Sequence, residues 1–267
     1  MSWITLTRAR PARSLWPVVR RSVLGLALPA LLLVVWQGIC VARLLPLYIL
    51  PSPVAVIARF ATELSGGQFG TDVLASLARV LKGFFLGSAA GLSFGVLLGL
   101  SRWAERLLAP LFLAYRQIAL FAWVPLLSMW FGGGETGKIA FVTLSAFAPV
   151  VVNTWRAIRA IPDSLNELGA VLTFDRLDQI SLIALPGALP GIVTGVRSAL
   201  IYAWLATVGA ELFLDIAPGM GGRLNEGRDK FEIDLMLVAL FVLTGLGLVF
   251  SQTAALIERR LVTWRLG

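Results

Sequence analysis

The chain has 267 residues, 58% hydrophobic and only 14% charged, with a mean hydropathy of +0.84; soluble domains carry about 25% charged residues, so this composition excludes an ordinary soluble protein and points to a polytopic membrane protein. With no histidine and a single cysteine, Cys40, the chain has no internal disulfide and no His/Cys zinc site. The net charge of +8 comes from basic residues clustered between apolar blocks, which fits orientation in a membrane better than nucleic-acid binding.

A helix needs about 20 apolar residues to cross the hydrocarbon core. Such runs fall at 23–42, 79–100, 107–131, 138–156, 187–213 and 235–257, so an all-α protein with about six transmembrane helices is expected. A basic tail over 1–22, with Arg8, Arg10, Arg13, Arg20 and Arg21, precedes the first run. That order also suits a secretory signal, but a signal core is only about 7–15 residues long, and the length here favours a retained span. Cys40 falls within this run and reads as inert packing. An outer connection follows over about 43–72. In it Val54, Ile57, Ala58 and Ala61 recur at helical spacing after Pro53, as in an amphipathic helix lying on the outer surface.

In the second span Gly83, Gly87, Gly91, Gly95 and Gly99 recur every four residues. Small-xxx-small spacing predicts close packing of a neighbouring helix; a narrow pathway lining is the alternative. The third span is interrupted by Arg116-Gln117 and Pro125. The turn after it reads Gly132-Gly133-Gly134-Glu135-Thr136-Gly137-Lys138, most of a phosphate-binding P-loop. Lys138 is followed by Ile139, where a P-loop has the Ser or Thr that holds magnesium, and the segment before it is the end of a membrane helix. The stretch therefore reads as a flexible outer turn with Lys138 capping a membrane interface. No ATPase chemistry, catalytic residue, cofactor or metal is expected of this chain.

Orientation follows from lysine and arginine. With the N-terminus inside, thirteen of the 23 fall in cytoplasmic segments and eight in outer ones, leaving Arg116 and Arg197 within spans. Both termini, including the tail 258–267, are then expected in the cytoplasm. The single membrane domain covers 23–257. Arg116, Asn153, Arg197 and Glu211 are candidate pathway residues, since charge inside a membrane often marks a path. Against this, Arg116 and Arg197 also suit interface anchors. Glu211 is placed near the outer interface, with no second carboxylate beside it.

The cytoplasmic loop 157–186 is long for a connection between spans and carries its own order. Ser164-x-x-Glu167 after Pro162 is a capping box, starting a short helix with Leu165, Leu168 and Leu172 on one face. The chain turns at Thr173-Phe174, and Asp175 caps a second stretch running to Leu185. Pro186 and Pro190 shape the start of the fifth span. A capped hairpin with an apolar face suits docking to a cytoplasmic protein or packing back onto the membrane domain.

This loop resembles the Glu-Ala-Ala loop of inner-membrane permease subunits of ATP-binding cassette importers. That pattern has a Gly six residues after the Glu and closes on Leu-Pro. Glu167 matches the Glu, and Leu185-Pro186 match the close. Leu168 and Gly169 replace the alanines, and Thr173 replaces the Gly. A β-branched residue resists the left-handed conformation that Gly permits, so altered turn geometry or weaker docking is expected. The stretches "LPSPVAVIARF", "AWVPLLSMWFGGGETGKI", "VVNTWRAIRAIP" and "LPGALPGIVTGVRSAL" stand in the order found in the nitrate, sulfonate and taurine branch.

The resemblance implies a MetI-like fold in the bacterial inner membrane, a second copy of the chain, contact with membrane lipid, and two cytoplasmic ATPase subunits that bind the ATP. It also implies an extracytoplasmic binding protein and a small anion such as an aliphatic sulfonate, taurine or nitrate as cargo. Ser164, Leu165, Glu167, Leu168, Gly169, Thr173, Leu185 and Pro186 would couple the pathway to the ATPase. A secondary transporter or channel subunit without an ATPase is the rival reading.

Overall fold

The computed structural model describes residues 16–46, 49–214 and 218–261. The ends of both tails, and Asp215, lie outside the described residues. Among those described, the helices are α1 (Trp16–Val41), α2 (Pro53–Ser65), α3 (Gln68–Leu100), α4 (Arg102–Gln117), α5 (Val124–Phe131), α6 (Glu135–Arg159), α7 (Asp163–Val171), α8 (Arg176–Asp178), α9 (Leu185–Phe213), α10 (Met220–Asp229) and α11 (Ile233–Leu261). A 3-10 turn, Leu120–Trp123, precedes α5, and a π-helical segment, Gln179–Ala184, precedes α9.

The all-α class holds. Gln68–Leu100, Glu135–Arg159, Gln179–Phe213 and Ile233–Glu258 are each long and apolar enough to cross a membrane. The expected third span is a pair, Arg102–Gln117 with Leu120–Phe131, bent by 96°. The expected first span contributes a shorter apolar helix, Ala27–Val41. The second span starts earlier than hydropathy indicates, because Asp72 and Ser76, ahead of the run that opens at Arg79, are helical and buried rather than part of a connection.

The chain divides into two units, Met1–Ile57 and Ala58–Gly267. Within the first, the Trp36 indole Nε1–H donates to the Pro51 carbonyl at 3.1 Å, and the buried Cys40 thiol lies 3.5 Å from the Leu50 carbonyl. These contacts fold the segment after α1 back along it. Helix α2 forms where it is expected, and Val54 and Ile57 of its apolar face stand exposed.

The second unit is built on α3, α6 and α9. Gly83, Gly87, Gly91, Gly95 and Gly99 are all buried, and each faces α6. Opposite them stand Val142, Ala146, Val150, Thr154 and Ile158, which also recur every four residues. Two period-four ridges therefore interlock. A Cβ at Gly91 would lie 2.8 Å from the Phe147 carbonyl oxygen and 2.9 Å from the Val150 Cβ, so only glycine permits this approach. The same device recurs on α9, where a Cβ at Gly195 would meet the Asn153 Cβ at 2.9 Å. Leu98, Phe112, Val151 and Val152 close a core between α3, α4 and α6. Ile158, Ala188 and Ile192 join α6 to α9.

Candidate functional site

Three features of the second unit carry chemistry. The first is the break between α4 and the 3-10 turn. Ser101 caps α4, its Oγ accepting the Ala104 N–H at 3.2 Å, and Arg116 in the last turn complements the helix dipole. Ile118 and Ala119 are then extended, with ψ of 124° and 133°, and the chain turns before resuming. Non-helical backbone at membrane depth is tolerated where it is buried in protein or lines a water-filled cavity. Here a cavity of about 550 Å³ opens beside the break, lined by α4, α6 and α9. Arg116 and Asn153 both line it, with Gln117, Ser145, Ser198 and Tyr202. Arg197 lies elsewhere and pairs with Glu258 of α11.

The second feature is a buried charged cluster. Arg79 of α3 pairs with Glu211 of α9 and with Glu135 in the first turn of α6. Arg79 and Glu211 are each only 1% exposed. Glu211 also accepts from the Ser76 hydroxyl at 2.7 Å and the Gly221 backbone N–H at 2.7 Å. The Ser76 oxygen in turn accepts the Met220 N–H at 3.0 Å. One expectation is corrected here: Glu211 is not without a second carboxylate, because Glu135 is its neighbour through the shared guanidinium. Lys138 is corrected too: it is fully buried rather than capping an interface. Burial is tolerable because its charge acts on both Glu135 and Glu211.

Around α10 the cluster continues toward the surface. Arg223 Nε donates to Asp72 at 2.6 Å, and its Nη1 to Glu63 at 3.2 Å. Burial works against the Arg223 charge, but the Asp72 hydrogen bond and the surrounding carboxylates outweigh it and raise its pKa. Lys230 hydrogen-bonds Glu226 at 2.7 Å and holds that carboxyl below its ordinary range.

The third feature is the hairpin 160–185. Helix α7 begins at Asp163, so Ser164 stands inside the first turn and not ahead of it as a cap; the Leu165 N–H bonds the Pro162 carbonyl at 3.1 Å instead. Leu165 and Leu168 are exposed, at 41% and 53%, as is Glu167, while Gly169 is buried against Ile183. Thr173 adopts φ 54°, the left-handed conformation expected of the glycine it replaces. The turn geometry is therefore kept. The Phe174 N–H closes on the Gly169 carbonyl at 2.9 Å and the Leu172 N–H on Leu168 at 3.0 Å, and these bonds hold it.

Asp175 caps the next stretch, its Oδ1 accepting the Asp178 N–H at 2.7 Å. That stretch does not stop at Leu185. Leu185 donates to the Ile180 carbonyl, an i→i−5 bond, and Pro186 sits in the first turn of α9. The wider π ladder admits a proline, which has no N–H to give, without breaking the helix. The hairpin and α9 thus share one continuous helical run, Gln179–Phe213.

A multi-pass bundle with a broken helix beside a cavity, and a hairpin continuous with a spanning helix, has the parts of a membrane transport protein. The chain belongs to the binding-protein-dependent transport system inner membrane components, whose family model matches residues 83–263. It is 37% identical to the riboflavin transport system permease protein RibX of Chloroflexus aurantiacus, over 98% of this chain and 97% of that one. It is 34% identical to the aliphatic sulfonates transport permease protein SsuC of Bacillus subtilis, over 90% of this chain and 87% of that one. A solved structure of the MetNI methionine ABC transporter in an inward-facing conformation shares the fold, with a TM-score of 0.63 at 22% identity, over 73% of this chain and 96% of that one.

Proposed function

We propose that this chain is the pathway-forming subunit of an ATP-driven importer for an oxyanion. Two copies would enclose the pathway, with both termini and the hairpin 160–185 on the cytoplasmic side. ATPase subunits would grip α7, and an extracytoplasmic binding protein would deliver the cargo at the opposite end. The observation that carries the reading is the hairpin. Leu165 and Leu168 are apolar knobs exposed on α7, a hydrogen-bonded turn at Thr173 follows it, and the far arm of the hairpin forms one helical run with α9 from Gln179. ATPase closure that moves α7 would then move α9, which lines the cavity at Ser198 and Tyr202. Sulfonates are the cargo named for the Bacillus relative, and Arg116, the one cation lining the cavity among the described residues, suits an anion.

The rival, a secondary transporter, needs coupling carboxylates near the midplane. None lines this cavity among the described residues. Glu167→Arg tests the proposal: it should abolish uptake while the chain still reaches the membrane at the normal level, and wild-type uptake would sink the assignment. Deleting 163–174 should abolish co-purification of the ATPase from native membranes. An undiminished yield of ATPase would count against docking through α7.

A further inference from the structure

Resting on the proposed orientation of the permease in the membrane, we infer that a groove between α3, α9 and α11 binds one phospholipid with an aminoethyl head. Its phosphate sits on Arg197, its ammonium on Glu258, and an acyl chain lies along the groove. The groove is the first observation, with a volume of about 530 Å³. Its floor is α9, where Ile192, Val193 and Leu200 are buried. Its rims are Phe85 of α3 and Val249 of α11, both exposed on spanning helices. Among the described residues that line it, only Arg197, Thr253 and Glu258 are polar. An apolar cavity stays dry, so hydrocarbon and not water fits it.

The second observation is where the charge sits. Along α11 the lining runs from Leu246 to Glu258, about 18 Å at ~1.5 Å per residue. One leaflet contributes about 15 Å of a ~30 Å hydrocarbon core, so the groove has the length of an acyl chain in a single leaflet. Glu258 closes it about one turn before α11 ends at Leu261. Side chains on a helix lean toward its N-terminus. Glu258 therefore leans back into the membrane from the end of α11, while Arg197 snorkels toward the start of α9. In the proposed orientation both directions converge on the cytoplasmic interface, and there the two groups pair. The groove thus has one charged end at headgroup level and an apolar length behind it.

The third observation is what the pair leaves unused. Arg197 Nη1 donates to Glu258 Oε2. Its Nε and Nη2 meet no acceptor among the described residues, and its side chain is 39% exposed. Glu258 Oε1 has only the Thr194 hydroxyl, at 3.4 Å. That hydroxyl has a single proton and gives it to the Pro190 carbonyl at 3.0 Å, so Oε1 is left with accepting capacity. A phosphodiester oxygen suits the remaining guanidinium N–H groups, and an ammonium suits Oε1. The pair is neutral as a whole, as is an aminoethyl phosphate head. A glycerol phosphate head would bring its negative charge to the arginine and leave Glu258 facing it as a like charge.

The test uses the full chain in mild detergent without an ATPase, titrated with dioleoyl phosphatidylethanolamine or dioleoyl phosphatidylglycerol. Lipid adducts are counted by native mass spectrometry in about 0.2 M salt, which screens the basic tail. The first phosphatidylethanolamine should bind about 5-fold or more tightly than the first phosphatidylglycerol. Arg197→Gln/Glu258→Gln, which removes both charges and orphans neither, should weaken it by about 10-fold. Equal affinity for the two lipids, or unchanged affinity in the double variant, would overturn the inference. So would the absence of any adduct, the result expected if a second copy of the chain covers the groove. If the double variant fails to fold, Val249→Trp decides: it fills the groove from an exposed rim, keeps both charges and should weaken phosphatidylethanolamine by about 10-fold, and unchanged binding refutes the site. Because neither ATPase nor cargo is present, failure here leaves the coupling proposal standing, and failure of Glu167→Arg to block uptake leaves this lipid result untouched.

Discussion

Alanine at Gly91 and alanine at Gly245 should shift stability in opposite directions, although both replace a glycine within a membrane helix. At Gly245 of α11 no atom lies within 4 Å of an added Cβ. The only consequence there is the better helix propensity of alanine, a gain of up to about 1 kcal/mol. At Gly91 the same Cβ would sit 2.8 Å from the Phe147 carbonyl oxygen and 2.9 Å from Val150 Cβ. Both obstacles are stiff, one being backbone and the other a branched side chain at its root. Helices α3 and α6 must then separate, and overpacking of this kind costs about 1–3 kcal/mol. Propensity cancels in the comparison, so the variants should differ by that penalty. For a chain of this size about 1 kcal/mol moves Tm by about 2–4 °C, giving Gly91→Ala a Tm about 2–12 °C below that of Gly245→Ala. Thermal unfolding in mild detergent, followed by size-exclusion fluorescence, measures it. If Gly91→Ala melts at or above Gly245→Ala, the reasoning from close helix approach is wrong.

Arg79→Met should cost about 3–5 kcal/mol, because it leaves Glu211 buried without its cation, and the double variant Arg79→Met/Glu211→Gln should recover part of the loss in the same melting assay. Glu135→Gln should cost less, since that side chain is 52% exposed and water replaces part of the interaction. Thr173→Gly should relieve about 1 kcal/mol of left-handed strain. Hydrogen exchange at the Leu172 and Phe174 amides should slow; unchanged or faster exchange would show the threonine to be unstrained.

Local periodicity made the helices legible. The glycines of α3 advertised their packing face by their spacing alone, and the stripe extends backward through Arg79, Ser76 and Asp72 along the same face. Asp72 and Ser76 were readable as a buried polar continuation, yet hydropathy left them outside the run that opens at Arg79 because it averages a face with its opposite. The charged cluster was illegible for another reason. Arg79 meets Glu135 and Glu211 across 56 and 132 residues of chain, and nothing local to any of them specifies the other two. Arg116-Gln117 marked the break in the third span, but the cavity beside it depends on where α6 and α9 pass. Thr173 shows propensity losing to context: two backbone hydrogen bonds and the buried Gly169 hold a left-handed turn that a β-branched residue disfavours.

The interlock of α3 with α6 also has a hereditary side. Each stripe glycine is a codon at which any missense change adds bulk, while Val142, Val150, Thr154 and Ile158 opposite can all shrink. Lineages that place alanine at position 99 should therefore carry glycine at position 158, because every atom that the added methyl would meet there belongs to the Ile158 side chain. The two ridges would drift as coupled pairs, so that ancestry records which residues touch.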